Sequence, residues 1–146
     1  MVRAEESILI ERPIEDVFRE LTDPEIAPTW LVNVVFMSLD TPGPLRVGAR
    51  LAEVRKLLGR EIQSTVEVVE YDPPHRYATR VVAGPIPHEI TNTLTEAEEG
   101  TRIVRVVEGE PGEFFGLPPE RVQEAVRRQV WHGLATLKDV MEGEAE

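Results

Sequence analysis

Cysteine is absent from the sequence. The chain therefore has no disulfide, no thiolate ligand for a metal and no thiol nucleophile. Basic residues are also in short supply, since 16 Lys and Arg face 27 Asp and Glu and give a formal net charge of −11. Nucleic acid binding needs a basic face to meet the phosphates, and anionic lipid repels an acidic protein. We therefore expect neither nucleic acid nor a membrane surface as a partner.

Long apolar runs are missing as well. No segment approaches the roughly 20 apolar residues that a membrane-spanning helix needs. The first residues, Met-Val-Arg-Ala-Glu-Glu, lack the basic and apolar regions of a secretory signal. We therefore expect a cytoplasmic protein without membrane insertion. Asn and Gln are scarce while Glu and Arg abound, a balance often seen in heat-adapted proteins.

The composition is that of a globular protein, with 146 residues, of which 41% are hydrophobic and 29% charged. A chain of this length can bury a core of its own. The sequence contains no internal repeat, linker or low-complexity stretch. It therefore predicts a single domain over residues 1–146.

The pattern of the chain predicts one strand, two short helices, six strands and one long helix. Pro13 stands where a helix can begin, and Asp23-Pro24 ends that helix. A second short helix carries Ile26 and Trp30. The predicted strands are bounded by Pro- and Gly-rich turns and cover Arg3–Ile10, Asn33–Leu39, Ala49–Leu58, Glu61–Tyr71, Arg76–Ala83, His88–Glu96 and Thr101–Gly109. Their short connections require antiparallel neighbours in sequential order.

The last element is an amphipathic helix that begins at Pro119. Its apolar residues recur every three or four positions and form one stripe: Val122, Val126, Val130, Leu134, Leu137 and Met141. Gly133 falls inside this stripe. Because glycine weakens a helix, we expect a packing reason for it, namely a close approach of the sheet.

Several short motifs follow one another in a characteristic order: Pro13-Ile14-Glu15-Asp16-Val17-Phe18, Asp23-Pro24 with Trp30, Val47-Gly48-Ala49, Leu58-Gly59-Arg60-Glu61, Tyr71-Asp72-Pro73-Pro74, Gly84-Pro85-Ile86-Pro87 and Gly100-Thr101-Arg102. With them the chain resembles the START-like superfamily, specifically its polyketide cyclase/dehydrase and lipid-transport branch. The resemblance implies an α+β helix-grip fold, in which a curved seven-stranded antiparallel sheet wraps around a long C-terminal helix. It also implies an internal cavity for hydrophobic small molecules. It carries over no catalytic residues, because this superfamily shares no catalytic motif.

The turns also predict which side chains share a face of the sheet. A type II′ turn at Gly59-Arg60 pairs Leu58 with Glu61. The same reasoning pairs Arg55 with Ser64, Glu53 with Val66, Val66 with Val81, Val68 with Thr79, Ala83 with His88, Val81 with Ile90 and Thr79 with Asn92. Directly paired residues point to the same side. The concave side then collects Leu51, Glu53, Arg55, Leu57, Ile62, Ser64, Val66, Val68, Tyr77, Thr79, Val81, His88, Ile90, Asn92 and Leu94.

A few polar groups on an apolar concave wall are typical of a small-molecule pocket. The predicted ligand-binding residues on this wall are Glu53, Arg55, Ser64, Tyr77, Thr79, His88 and Asn92. Arg55, Ser64 and His88 fall on one predicted row across the strands. The alternative for Glu53 and Arg55 is a solvated position near the open end, since charges are seldom buried. The alternative for Ser64 and Thr79 is a satisfied hydroxyl in the core, whereas an inward Asn92 needs polar partners.

His88 is the candidate catalytic residue, because it is the one histidine placed inward and titrates near neutral pH. Its alternative is a residue at the rim with a hydrogen bond to the backbone. His75 lies in a proline-rich turn and His132 on the helix face opposite the stripe, so we expect both to be exposed. The three histidines lack metal-ligand spacing, and we expect no metal site.

Three further features lie outside the sheet. Trp30 either caps the mouth of the cavity or anchors the second helix in the core. Gln123 either offers a polar group to the cavity or faces solvent in the first turn of the last helix. Residues 112–117 contain two adjacent Phe between glycines and form either a lid or packing beneath the helix. Trp131 is expected at the surface, where an exposed tryptophan can mark a homodimer contact.

Three functions remain open. The first is binding of a hydrophobic small molecule, lipid-like or aromatic, as a carrier or sensor. The second is a cyclase- or dehydratase-like enzyme for a polyketide-type or aromatic substrate, in which His88 or Glu53 moves a proton and Arg55 or Asn92 stabilises an enolate. The third is a protein-interaction module similar to chaperone-ATPase activators. No cofactor is expected, because phosphate-cradling and dinucleotide-binding motifs are missing.

Overall fold

A computed structural model describes residues 1–144. The strands are β1 (Val2–Ile10), β2 (Val34–Leu39), β3 (Arg50–Leu57), β4 (Arg60–Asp72), β5 (Arg76–Ala83), β6 (His88–Ala97) and β7 (Gly100–Gly109). The helices are α1 (Ile14–Thr22), α2 (Ala27–Trp30) and α3 (Pro119–Glu144). The predicted order of elements is confirmed, and each predicted strand differs from the observed one by no more than one residue at either end.

The seven strands form one antiparallel sheet in the order β1-β7-β6-β5-β4-β3-β2. Strands β2 to β7 are a meander, and β1 pairs with β7 along its whole length. Helix α3 packs along β1, and the short α2 contacts α3 and β2. This is the α+β helix-grip architecture that the sequence predicts.

The core lies between the concave face of the sheet and α3. Helix α3 contributes Leu134 and Leu137, which are both 0% exposed, together with Val130 and Met141. The sheet contributes alternate residues such as Leu51 and Val68, because successive side chains of a strand point to opposite faces. Burial of such side chains drives folding, and truncation of one leucine in a core like this one costs about 2–5 kcal/mol.

The β3–β4 turn differs from the predicted type. Leu58 (φ 51°) and Gly59 (φ 76°) form the two-residue loop, and both have positive φ. This is the geometry of a type I′ turn, so the loop closes one residue earlier than a type II′ turn at Gly59-Arg60 would close it. Leu57 therefore pairs with Arg60, Arg55 with Ile62 and Glu53 with Ser64. The predicted pairs of Arg55 with Ser64 and of Glu53 with Val66 are wrong.

The β5–β6 register also differs from the prediction, whereas the two predicted β4–β5 pairs are confirmed between two register shifts. Val66 pairs with Val81 and Val68 with Thr79, as predicted. Across β5 and β6, however, Thr79 pairs with Ile90 and Tyr77 with Asn92. Pairing stops beyond Arg80 and Glu89, where the loop through Pro85 and Pro87 follows, and proline has no N–H for a ladder hydrogen bond. The predicted row of Arg55, Ser64 and His88 therefore does not exist, and His88 lies opposite Gly109.

Both register errors are shifts of two residues. Because the side-chain period of a strand is also two, such a shift leaves every side chain on its predicted face. The predicted concave residues are accordingly buried or partly buried, including Glu53, Ser64, Tyr77 and Asn92. The face prediction is confirmed even where the pairs are wrong.

Gly133 lies against α2 and not against the sheet. A Cβ atom at this position would be 3.7 Å from the side chains of Leu31 and Trp30. That distance is an ordinary van der Waals contact, so the position has room for alanine. The expected close approach of the sheet is therefore wrong, and space alone does not account for this glycine.

Substitution of Gly133 by Ala is expected to stabilise the protein by about 0.5–1 kcal/mol, because alanine favours the helix and finds van der Waals contacts. The matched control is Gly100→Ala. There φ is +153°, and the new Cβ would overlap the carbonyl oxygen of Ile10. Urea unfolding of both variants measures the difference. A loss of stability in Gly133→Ala similar to that in Gly100→Ala would contradict the packing described for α3.

Candidate ligand pocket

An apolar pocket of about 100 Å³ opens between the concave sheet and the N-terminal half of α3. Its wall is mainly aliphatic and includes Ile62, Ile86, Ile90, Val107, Val126 and Val130. The polar side chains on it are Asn33, Arg55, His88, Arg105 and Gln129. A smaller recess of about 30 Å³ adjoins this polar side and is lined by Glu53, Tyr77, Thr79 and Asn92, together with Trp30 and the same two arginines.

Glu53 and Arg55 form an ion pair inside the protein. They stand two positions apart on β3, so their side chains share the concave face. Arg55 donates to both carboxylate oxygens, from Nε to Oε1 at 2.8 Å and from Nη2 to Oε2 at 3.2 Å. The side chains are only 14% (Arg55) and 2% (Glu53) exposed. The solvated position considered for the pair is therefore wrong, because each charge has its partner within the fold.

Arg105 is a buried cation at the centre of the same cluster, and only 5% of it is exposed. Its Nη1 donates to Oδ1 of Asn92 at 2.8 Å, and Nδ2 of Asn92 donates to the carbonyl oxygen of Tyr77 at 3.1 Å. The guanidinium carbon lies 5.4 Å from the ring centroid of Trp30, within the range of a cation–π contact. The polar partners expected for an inward Asn92 are thus present.

The sequence carried a signal for Arg105 that the prediction did not use. A two-residue turn at Glu98-Glu99 pairs Ala97 with Gly100, and counting back along both strands pairs Asn92 with Arg105. Ile103 and Val107 flank Arg105 at a spacing of two and lie on the same face. The alternation of β7 therefore places Arg105 on the inward face between Ile103 and Val107.

The cluster shifts the acidity of its members. Burial raises the pKa of Glu53, but the charge and hydrogen bonds of Arg55, with the charges of His88 and Arg105, outweigh it and hold the pKa below its ordinary value. Loss of hydration lowers the pKa of Arg105 to about 9, and the nearby charge of Arg55 acts in the same direction. Burial is also the main cause of the raised pKa of Tyr77. At neutral pH Arg105 is therefore cationic, Glu53 is anionic and Tyr77 is neutral.

His88 is partly buried on the pocket wall. Its Nδ1 lies 3.1 Å from the carbonyl oxygen of Ile86, and a carbonyl oxygen only accepts, so Nδ1 carries the proton and Nε2 has a lone pair. Burial, followed by the charge of Arg55, lowers the pKa of His88 below its ordinary value. The backbone hydrogen bond considered as the alternative is thus present, although His88 also lines the pocket.

Ser64 and Thr79 occupy different places. Ser64 is buried beneath the β5–β6 loop, close to Gly84, and lines a separate groove with Gln63 and Thr65. Its hydroxyl has no hydrogen-bond partner among the described residues. Thr79 is partly buried in the polar recess beside Tyr77, whose ring packs edge-on against Tyr71 at 6.2 Å. Of the two hydroxyls, only that of Thr79 belongs to the recess.

Trp30 is almost completely buried and both anchors α2 and forms a wall of the polar recess. Gln123, in contrast, faces solvent, and its Oε1 accepts a hydrogen bond from the backbone N–H of Arg3 at 3.1 Å. The pocket position predicted for Gln123 is therefore wrong. Gln129 lies on the pocket wall in its place, and its Oε1 accepts no hydrogen bond from any described residue. Gln123 and Gln129 flank the apolar stripe of α3 on opposite sides. The sequence pattern does not indicate which of the two sides faces the pocket.

Residues 112–117 close one end of the pocket. Phe114 and Phe115 pack edge to face at 5.0 Å, and Phe115 lines the pocket. Arg60, beside the β3–β4 turn, holds this loop twice: its guanidinium lies 4.3 Å from the centroid of Phe114, and its Nη1 donates to the carbonyl oxygen of Phe114 at 2.7 Å. The loop covers the pocket, and its role as a moving lid stays a prediction.

The remaining candidates lie away from the pocket. His75, Trp131 and His132 are exposed, as expected. Within residues 1–144, no three His, Asp or Glu side chains are grouped so that they could hold a metal ion. The same residues include no helix that is long and apolar enough to cross a membrane.

The curved sheet that grips a long helix, with a recess between them, defines the helix-grip class of protein. The chain belongs to the polyketide cyclase/dehydrase and lipid transport family of the START-like superfamily, whose family model matches residues 1–142. Family and fold together indicate a START domain of the hydrophobic-ligand-binding or cyclase/dehydrase-like kind.

Solved structures agree with this fold. The protein TTHA0849 from Thermus thermophilus is 26% identical, with a TM-score of 0.82 and 99% of each chain covered. A START superfamily protein from Mycobacterium smegmatis is 13% identical, with a TM-score of 0.82 and 97% of each chain covered. A conserved protein from Geobacillus kaustophilus is 16% identical, with a TM-score of 0.79 and coverage of 97% of this chain and 96% of that one. No curated protein matches the sequence at a significant level.

Removal of the buried carboxylate in Glu53→Gln is expected to destabilise the protein by about 3–5 kcal/mol, because Arg55 then stays buried without its partner beside Arg105. Glu70→Gln is the matched control. It breaks a similar two-point ion pair with Arg76, in which the side chains are 44% (Glu70) and 37% (Arg76) exposed, and a pair this well solvated contributes at most about 1 kcal/mol. Urea unfolding compares the two variants. Equal losses of stability would mean that the Glu53 pair is as well solvated as the surface pair.

Stability is also expected to fall as the pH drops below 6.5 because of His88. Its folded-state pKa lies below the ordinary 6.5, so the unfolded chain takes up the proton first. Neutral His88 therefore contributes its full share of the folding stability above pH 6.5. This share is lost as the pH falls from 6.5 to the folded-state pKa, by no more than about 1.4 kcal/mol per pH unit. His88→Gln removes this dependence between pH 7 and 5.5, whereas the exposed His75→Gln keeps it. The measurement is the unfolding midpoint as a function of pH across this range. If the slope of midpoint against pH is unchanged in His88→Gln, the pH dependence of stability comes from other groups.

Proposed function

We propose that the protein binds a small apolar molecule in the pocket beneath α3, as a carrier or sensor. The observation that carries this proposal is the composition of the pocket wall, which is mainly aliphatic and includes a few polar side chains, among them Arg55, His88 and Arg105. Such a wall favours an amphipathic ligand, because burial of its apolar part supplies the affinity and the few polar groups fix its orientation.

Two further features support binding. Gln129 presents an amide oxygen without a partner among the described residues, and a ligand that donates a hydrogen bond would satisfy it. Phe115 covers one end of the pocket from a loop held by Arg60, so a bound apolar group would be screened from water. The amide oxygen of Gln129 and the cover formed by Phe115 both favour a ligand that is enclosed in the pocket over one that binds to the surface.

A cyclase- or dehydratase-like activity is the second candidate, and the state of His88 is the observation in its favour. A neutral imidazole with Nδ1 bound to a carbonyl oxygen has Nε2 available as a base. Its orienting partner is a backbone carbonyl and not a carboxylate. Burial and the charge of Arg55 disfavour the imidazolium that proton abstraction would form, and they outweigh the favourable charge of Glu53. We therefore place binding first.

The third function considered, a protein-interaction module, requires a filled interior, and the pocket argues against it. A homodimer contact through the exposed Trp131 remains a prediction. Neither role explains why the polar groups converge inside the fold.

The binding proposal is tested with 1-octanol as a neutral apolar probe. In an NMR titration, we expect saturable shifts of amide signals from pocket residues. Val107→Phe fills the pocket and is expected to weaken binding at least about tenfold. Val106→Phe is the matched control, because it adds the same ring to the outer face of the same strand.

Unfolding midpoints of both variants establish that they are folded, and Val126→Phe repeats the test from the helix side of the pocket. Saturable binding that is lost in both pocket variants and retained in the control supports the proposal. Shifts that do not saturate, or equal affinity in all four proteins, would rule out this pocket as the binding site.

A further inference from the structure

We propose that the polar side of the pocket binds a carboxylate, so that the ligand is an apolar monocarboxylic acid with its acid group at Arg105. This inference rests on the proposed binding function and names the class of ligand. It follows from three observations: the charge balance of the buried cluster, the unpaired state of Arg105 and the rigid support of its guanidinium.

The buried cluster carries one uncompensated positive charge. The charged side chains that line the pocket and the adjoining recess are Glu53, Arg55 and Arg105, with His88 as the one other titratable group besides Tyr77. Two cations and one anion leave a charge of +1, since His88 and Tyr77 are neutral at pH 7. A buried net charge is costly unless a counterion reaches it, which favours a ligand of charge −1.

Arg105 is the cation without a carboxylate. Both oxygens of Glu53 accept hydrogen bonds from Arg55, and no described carboxylate forms an ion pair with Arg105. A guanidinium has five N–H donors, and the one hydrogen bond found for Arg105 within residues 1–144 goes to the neutral Asn92. Arg105 lines both the apolar pocket and the polar recess. Its remaining donors are therefore available where the apolar wall meets the polar groups.

The surroundings of Arg105 hold it in place for such a ligand. The ring of Trp30 lies beside the guanidinium, and Asn92 is itself anchored to the backbone of Tyr77. A planar guanidinium fixed in this way matches the two oxygens of a carboxylate. Burial and the charge of Arg55 lower the pKa of Arg105 more than Glu53 raises it, which agrees with a cation that lacks a full counterion. A phosphate monoester carries about −1.5 to −2 charge at neutral pH and would overcompensate the cluster.

The acid group would then lie at Arg105, and the apolar part would extend along Ile90, Val107 and Val126 towards Phe115. This direction follows because the charged cluster is confined to one side of the pocket and the remaining wall is apolar. A pocket of this size suits a short or medium apolar chain.

The test compares four probes with the same eight-carbon chain on the wild-type protein: octanoate, 1-octanol, octylammonium and octyl phosphate. Dissociation constants from NMR titration at pH 7 are expected to be at least about tenfold lower for octanoate than for 1-octanol, with octylammonium the weakest. Octyl phosphate distinguishes the two kinds of anion, and we expect it to bind less tightly than octanoate. Tighter binding of octyl phosphate would overturn the assignment to a carboxylate.

Arg105→Met then locates the acid group. This variant is expected to lose the preference for octanoate, so that its dissociation constants for octanoate and 1-octanol become similar. Arg80→Met is the matched control, because Arg80 is exposed on the outer face of β5, and we expect it to retain the preference. Arg105→Lys keeps the charge without the planar fork and should retain only part of the preference.

The outcomes separate the two proposals. Equal affinity of the wild type for octanoate and 1-octanol would overturn the carboxylate inference and leave the binding proposal intact. A preference for octanoate that survives in Arg105→Met would place the acid group elsewhere and also overturn it. If neither probe binds the wild type, the binding function itself fails. The comparison on the wild type needs no variant to fold.

Discussion

The packing of α3 into the curved sheet is the constraint on which the rest of the structure depends. The helix presents one apolar stripe, and in its C-terminal half the side chains of Leu134 and Leu137 are completely buried in the core. Its N-terminal half stands further from β3 and β6, and the space between them is the pocket. One helix on a curved sheet therefore produces both a tight core and an internal recess. The position of the recess follows from the geometry of these two elements before any polar residue is considered.

The buried polar side chains beside the pocket are paired by charge and by hydrogen-bonding capacity. Glu53 is neutralised by Arg55 on the same strand, and Asn92 connects β5 to Arg105 on β7. Glu53, Arg55 and Asn92 each have a partner within the fold, whereas Arg105 has no carboxylate among the described residues, so the cluster is not neutral. A protein selected for stability alone would gain by replacing Arg105 with an apolar residue, since a buried charge without a counterion lowers stability. The retention of such a charge beside an apolar pocket is typical of a functional site.

The sequence allowed prediction of the elements and of the faces of the strands, because both depend on local signals. Proline and glycine mark the turns, and alternation marks the faces. The pairing was less predictable, because the φ angle of Leu58 and the divergence of β5 from β6 at Arg80 depend on tertiary context. Burial of Glu53 and Arg55 was misjudged since statistics disfavour buried charges, whereas a specific ion pair overrides them. The inward position of Arg105 could have been predicted by the same counting of strand pairs. The choice between Gln123 and Gln129 could not, because it depends on how the helix is rotated above the sheet.

The contact of Arg60 with Phe114 connects the β3–β4 hairpin to the loop of residues 112–117, two segments that are distant in sequence. Because the loop of residues 112–117 precedes α3 directly, the β3–β4 hairpin and the start of the helix are connected through one side chain. Any widening of the pocket at Phe115 must either stretch this contact or carry the tip of the hairpin with it. On the binding function proposed above, entry past Phe115 therefore depends on the stiffness of the β3–β4 hairpin as well as on the loop, and the same hairpin contributes Arg55 and Ile62 to the pocket wall.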